Sequence, residues 1–195
     1  MKPISKTFIF CLSCFLIFSC EERNIEFVLG EEMDYPFEIS GSETFDEYYY
    51  VSEYELYELT EDLDDEVRNN IVNLDIEKVD VQLLSTGGLN TAESATVTVY
   101  FKWDDKAWDD PSAQIDSLFS QYTESVTTDS EDFTMLVNQL DETTIGHLRN
   151  RLDAAARQVD VSAFYVRARG TVNGGYLEAT LTVRVKVTLV TRETF

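Results

Sequence analysis

Apolar and polar side chains alternate most strictly near the C-terminal end of the chain. In AFYVRARGTV, Phe164, Val166, Ala168, Gly170 and Val172 fall on one face, against Tyr165, Arg167, Arg169 and Thr171. Beyond a short break, Leu177, Ala179, Leu181, Val183, Val185, Val187 and Leu189 alternate with Glu178, Thr180, Thr182, Arg184, Lys186 and Thr188. A period of two marks strands with one buried and one wet face. Matching the apolar faces predicts a hairpin, because a two-residue Asn173-Gly174 loop pairs even positions with odd ones and has the favoured type I′ chemistry. In that register Arg169 faces Glu178 and Ala168 faces Ala179.

Earlier in the chain the same rule predicts a second hairpin. IEKVDVQLL sets Val79, Val81 and Leu83 against Lys78, Asp80 and Gln82, and ATVTVYFKW aligns Ala95, Val97, Val99, Phe101 and Trp103. The loop between them carries Gly87-Gly88. YPFEIS reads as a short strand with Pro36 at a sheet edge. Phe45 to Leu59 carries aromatics on both faces as a strand and a stripe of Phe45, Tyr48, Tyr49, Leu56 and Leu59 as a helix, and is read as strand, since tyrosine runs favour strands. TEDLDDEVRNNI, residues 60–71, has a threonine N-cap and acids in its first turn, which predicts a short helix.

The period changes between the hairpins. Ile115, Leu118, Phe119, Tyr122 and Val126 recur at helical spacing behind Pro111 and Ser112, and Ile145, Leu148, Leu152, Ala155 and Ala156 do so within 142–158. Residues 133–140 fit strand or helix equally. The expected fold is therefore β-rich (α+β): an antiparallel β-sandwich-like domain over 35–195, with about two helices inserted between hairpins at about 112–158.

The N-terminal segment belongs to a different physical regime. Lys2 and Lys6 precede an apolar run from Phe8 to Phe18, which is 11 residues where a membrane-spanning helix needs roughly 20. The length fits a secretory signal core. Ile17-Phe18-Ser19-Cys20 resembles the lipobox of bacterial lipoproteins, although Phe18 stands where a small residue is usual, and Glu21-Glu22 resembles the acidic export signal of Bacteroidota surface lipoproteins. The layout of strands and helices is also similar to that of Bacteroidota surface lipoproteins of unknown function. The resemblance implies a signal peptide over 1–19, a diacylated Cys20, a lipidated tether over 20–34 and attachment to the outer membrane, the cell surface being favoured over the periplasmic face. The cysteines are Cys11, Cys14 and Cys20, so cleavage before Cys20 leaves one thiol and no possible internal disulfide. Two or three acyl chains at about 0.8 kcal/mol per methylene would hold the chain without a spanning helix.

Charge narrows the partners. Residues 20–195 carry 13 basic and 37 acidic side chains, a net charge of −24. Such a chain repels phosphate backbones, which argues against a nucleic-acid partner, while the 12% aromatic content supplies a core. His147 is the single histidine. That leaves no basis for a His/Cys zinc site or for a nucleophile triad, and there is no phosphate-cradling glycine motif. Carboxylates are abundant, and a paired-carboxylate enzyme would need only two of them at the right distance, but the pattern favours no catalytic role.

Two aromatic features remain as candidate ligand sites. WDDKAWDDPS repeats Trp-Asp-Asp at Trp103 and Trp108, with Asp104, Asp105, Asp109 and Asp110 as oxygen donors for calcium beside rings that suit sugars. The alternative is a solvated loop whose tryptophans plug the edge of the domain. Tyr48, Tyr50 and Tyr54 lead a tyrosine run that forms either a platform for glycan or peptide or a cover for the core. Arg167, Arg169, Arg184 and Lys186 form an outward basic row that the chain's own acids should neutralise. Together these features predict a non-catalytic envelope lipoprotein that binds a protein or glycan partner.

Overall fold

The computed structural model describes residues 24–58, 61, 63, 65–136, 139–159 and 161–194. The segment around Cys20 lies outside them. Eight strands dominate the described chain: β1 (Asn24–Gly41), β2 (Thr44–Val51), β3 (Ile71–Ser85), β4 (Ser94–Lys102), β5 (Ile115–Thr127), β6 (Thr134–Met135), β7 (Phe164–Asn173) and β8 (Leu177–Thr194). The described helices are α1 (Glu53–Glu58), α2 (Asp65–Asn69) and α3 (Glu142–Ala156).

Ladders link the strands in the order β1-β8-β3-β5-β4-β7-β2, with β6 added beside β3. All are antiparallel except β3–β5, which touch only at Leu83/Val126 and Leu84/Thr127. At the far ends, β1 and β2 approach each other, and Tyr35 and Phe37 pack edge-on against Tyr49 at 5.9 and 6.4 Å. The path thus bends almost into a closed, barrel-like sheet around one apolar interior. The class is β-rich α+β, as the patterning predicts.

Period-two burial accounts for the interior. Tyr35, Phe37 and Ile39 of β1, Ala95, Val97, Val99 and Phe101 of β4, Phe164, Val166 and Ala168 of β7, and every second residue from Leu177 to Leu189 of β8 are buried. Pro36 sits on β1, which makes ladder bonds to β8 alone, the edge position that proline tolerates. Where β3 and β5 diverge, α3 fills the gap with Leu148, Leu152, Ala155 and Ala156, all fully buried. Asp141 caps this helix by accepting from Thr144 N at 2.8 Å. The Asp141 N–H and the Thr144 hydroxyl donate to Leu118 O and Ser117 O of β5, which supplies partners for that edge.

Several pairings differ from those the sequence predicts. The β7 and β8 faces are as expected, but the two strands do not pair: β7 lies between β2 and β4, and β8 lies between β1 and β3. Arg169 faces Asp46 and Thr98, and Ala168 faces Glu47 and Val99. Even positions of β7 and odd positions of β8 address one interior, a demand that a corner between two ladders meets as well as a hairpin does. Gly174 and Gly175, at φ 85° and 148°, turn that corner. A side chain at Gly175 would lie 2.6 Å from Thr91 Oγ1. Likewise β3 and β4 form no hairpin, because β5 stands between them.

Residues 115–126, expected as helix, are strand β5. Its register against β4 shifts twice: Val97 faces Tyr122, Val99 faces Phe119 and Tyr100 faces Ser117. Each shift inserts an extra residue, and Gln121 takes φ 53° there, so the apolar positions recur at three and four rather than two. The helical part of the expected 112–158 insertion is α3 alone among the described residues. The expected tether is in strand from Asn24 onward. The strand read over 45–59 ends at Val51, and residues 134–135 of the ambiguous segment are the short strand β6.

Candidate functional site

Three strands present the aromatic face. Outward positions of β2, β7 and β4 align in register as Tyr48–Arg167–Tyr100 and, one step along, Tyr50–Tyr165–Lys102. Alternation puts these residues on the side opposite Phe164, Val166 and Phe101, so the rings that look outward are those the core does not use. Tyr48 and Tyr50 remain 50% and 51% exposed. Tyr50 lies 4.9 Å from Tyr165, ring to ring.

The loop after β4 adds the remaining ring. Trp108 leans over the first row, 5.6 Å from Tyr48, and the Arg167 guanidinium lies 5.1 Å from both rings. Arg167 also grips Asp46 through both carboxylate oxygens, Nε to Oδ1 at 2.6 Å and Nη2 to Oδ2 at 2.5 Å. That bond holds the Asp46 carboxyl below the usual range and raises the arginine, so the pair is fully charged at neutral pH. Lys102 anchors the loop from below. It is 3% exposed, and its ammonium donates to Asp104 O at 2.7 Å and Lys106 O at 2.5 Å while lying 4.3 Å from the Tyr165 ring.

The two tryptophans of the loop serve opposite sides. Trp103 turns inward, 8% exposed, stacked on Phe101 at 5.2 Å and tilted against Phe164. Its indole N–H donates to Asp116. Of the residues proposed from sequence, Trp108, Tyr48 and Tyr50 therefore converge and Trp103 is part of the core wall. Tyr54 is on α1, 66% exposed.

Two of the four aspartates considered for calcium are engaged within the loop. Asp104 Oδ2 accepts from Gln114 N at 3.0 Å and faces Lys106 at 3.7 Å, and Asp110 Oδ1 accepts from the backbone and hydroxyl of Ser112 at 2.8 and 2.7 Å. Asp105 and Asp109 are exposed. Among the described residues no three metal-ligating side chains converge. Asp104 Oδ2 and Asp110 Oδ1 serve the loop's own backbone instead.

The basic row divides between two regions of the sheet. Arg184 pairs with Asp34 at 2.7 Å and Glu32 at 3.2 Å, and Lys186 pairs with Glu32. Arg167, Arg184 and Lys186 are neutralised by the chain's own acids, through β1 and β2 partners and not through Glu178.

Sequence reasoning missed Tyr165 and Lys102 as members of the aromatic face. The signal was present in the alternation, since both occupy polar-face positions, yet their neighbours depend on which strands pair. It also missed α1, which opens with a capping box: Ser52 Oγ accepts from Glu55 N at 3.2 Å, and Glu55 Oε2 accepts from Ser52 N at 2.7 Å. Ser52-Glu53-Tyr54-Glu55 spells that motif in the sequence.

No family model matches the chain, and no curated protein does. Solved structures with some likeness include one titled Desmodium yellow mottle tymovirus, 9% identical over 85% of this chain and 89% of that one, at a TM-score of 0.32. A decameric BFDV capsid protein is 11% identical over 87% and 98%, at 0.29, and Turnip yellow mosaic virus is 11% identical over 85% and 82%, at 0.28. Similarity this slight carries no argument about fold or function.

Proposed function

We propose that this chain is a non-catalytic binding component of a bacterial cell envelope, tethered through a lipid on Cys20, and that its outward aromatic face captures glycan. The observation that carries the binding surface is the convergence of Trp108, Tyr48, Tyr50 and Tyr165 on one side of β2-β7-β4, with half of each of the first two tyrosines' surfaces left to solvent. Stacked strands hold these rings in place, so a ligand freezes few torsions on binding. Sugar C–H faces pack on aromatic rings, and the Arg167–Asp46 fork alongside offers charged donors and acceptors for hydroxyls.

Retention of residues 20–195 on columns bearing envelope polysaccharides tests the reading. The expected result is retention that drops at least tenfold in Trp108→Ala and in Tyr48→Ala, with unchanged thermal melts. Retention that survives both substitutions overturns the assignment of the face. Loss of a co-purifying protein in the same variants, with no glycan retained by the parent, would replace glycan by a protein partner. Protease shaving of intact cells beside a Cys20→Ala control tests the attachment, and full protection of the wild-type chain refutes surface display.

A further inference from the structure

On the other side of the β4–β5 loop lies a cleft of about 630 Å³ between that loop and α3, lined by Trp103, Gln114, Asp116, His147, Asn150 and Arg151 among others. Its volume is within the range of small-molecule sites. The charges in it are arranged unevenly. Asp116 is already engaged twice, by the Trp103 indole N–H and by His147 Nδ1 at 2.7 Å. With Nδ1–H donated to that carboxylate, the neutral imidazole keeps only an acceptor at Nε2.

Arg151 is the one arginine lining the cleft. Arg68, Arg149, Arg157, Arg167 and Arg184 each meet a carboxylate. Arg151 meets two backbone carbonyls instead, Trp103 O at 3.0 Å and Ser162 O at 3.3 Å, and lies 5.8 Å from the Trp103 ring. Among the described residues it has no carboxylate partner, in a chain with 37 acids and 15 bases. Carbonyls orient a guanidinium without cancelling its charge. Neither the Gln114 nor the Asn150 side-chain amide has a hydrogen-bond partner among the described residues, so the cleft also presents uncommitted donors.

We infer that this cleft binds a small carboxylate, with the charge on Arg151 and hydrogen bonds from Asn150 and Gln114. A single negative charge matches the one arginine of the cleft lining, and the neighbouring Asp116 carboxylate disfavours a dianion such as phosphate. An acidic sugar or a peptide C-terminus would both supply the group. The site is independent of the aromatic face, because Trp103 and Trp108 lie on opposite sides of their loop.

Trp103 reports on the cleft once Trp108 is replaced. In residues 20–195 carrying Trp108→Phe, sodium glucuronate, N-acetyl-Gly-Gly, glucose and inorganic phosphate are titrated while Trp103 emission is followed. The expected result is a saturable change with glucuronate, with the peptide or with both, the pattern identifying the source of the carboxylate. Asn150→Asp, at an exposed position with no described partner, puts a second negative charge on the cleft wall and should weaken that binding at least tenfold without unfolding the chain. Arg151→Gln should do the same. No saturable response to either carboxylate, an equal response to glucose or phosphate, or full binding in Asn150→Asp overturns the inference. Because Trp108 is already absent, failure of the aromatic-face reading leaves this result unaffected.

Discussion

Replacing Lys102 by Met tests whether a buried cation holds the β4–β5 loop against the sheet. The methionine keeps the length and apolar stem but deletes the ammonium. Two hydrogen bonds from a charged donor are lost, at 2.7 Å to Asp104 O and 2.5 Å to Lys106 O, together with a cation–π contact 4.3 Å from Tyr165. Bonds of this kind are worth about 1.5–3 kcal/mol each and the ring contact about 0.5–2. Relief of the cost of burying a charge at a position 3% exposed offsets part of the sum. The net expectation is a loss of about 2–4 kcal/mol. With a urea slope of about 2 kcal/mol/M, the unfolding midpoint should fall by roughly 1–2 M. Trp108 should become more accessible to acrylamide, because its loop is no longer tied down, while Trp103, stacked on Phe101, should not. An unchanged midpoint with unchanged quenching would refute the reasoning, and so would a lower midpoint in which Trp103 is exposed first.

Other expectations follow from single contacts. Gly170→Ala would place a methyl 2.2 Å from Thr96 O and 2.6 Å from Phe45 Cζ, and since the first is backbone the strand must shift; a loss of about 1–3 kcal/mol in urea unfolding is expected. Ser52→Ala removes half of the α1 capping box and should cost about 1 kcal/mol, read by the same assay. Burial lifts the Glu124 carboxyl above its ordinary value of 4.5, and its Oε2 has no hydrogen-bond partner among the described residues. A folded pKa above the unfolded one means that Glu124 favours folding fully below the unfolded value, and that this contribution is lost as pH rises through the folded value. Glu124→Gln should therefore be more stable than wild type at pH 7, with the gap closing as pH falls toward about 4.5; thermal melts across pH that run parallel would refute it. Asp46 is the opposite case. Its carboxyl is depressed by Arg167, so its stabilisation is present above 3.8 and vanishes as pH falls through the lower folded value, and Asp46→Asn should flatten that acid limb.

Which face of a strand is buried could be read from the chain, because period-two patterning needs only a local rule. Leu177 to Leu189, Phe164 to Ala168 and Ala95 to Phe101 are buried as their alternation requires. Which strand lies beside which could not. The parity that predicts a β7–β8 hairpin is satisfied equally by two strands meeting across a corner, and the choice depends on β1 and β3 occupying both edges of β8. In β5 the local rule itself fails, since two bulges give a strand the spacing of a helix. The aromatic face was legible in part, as Trp108, Tyr48 and Tyr50. The cleft was not, because Asp116 and His147 are 31 positions apart and meet only after α3 has settled into the gap beside β5.

The pairing of β1 with β8 also dictates an order of events. Asn24 finds its partner at Thr194, and Gly41 at Leu177, so the first described strand has its ladder neighbour in the last. Every residue between must be present before that ladder can zip, and closing so long a loop is slow. A chain threaded across a membrane from its N-terminus would therefore hold β1 unpaired until the final strand emerged. The same dependence makes C-terminal truncation severe: deleting residues beyond 176 removes the partner of both β1 and β3 at once, and refolding kinetics of such a fragment should show no recovery of the native signal.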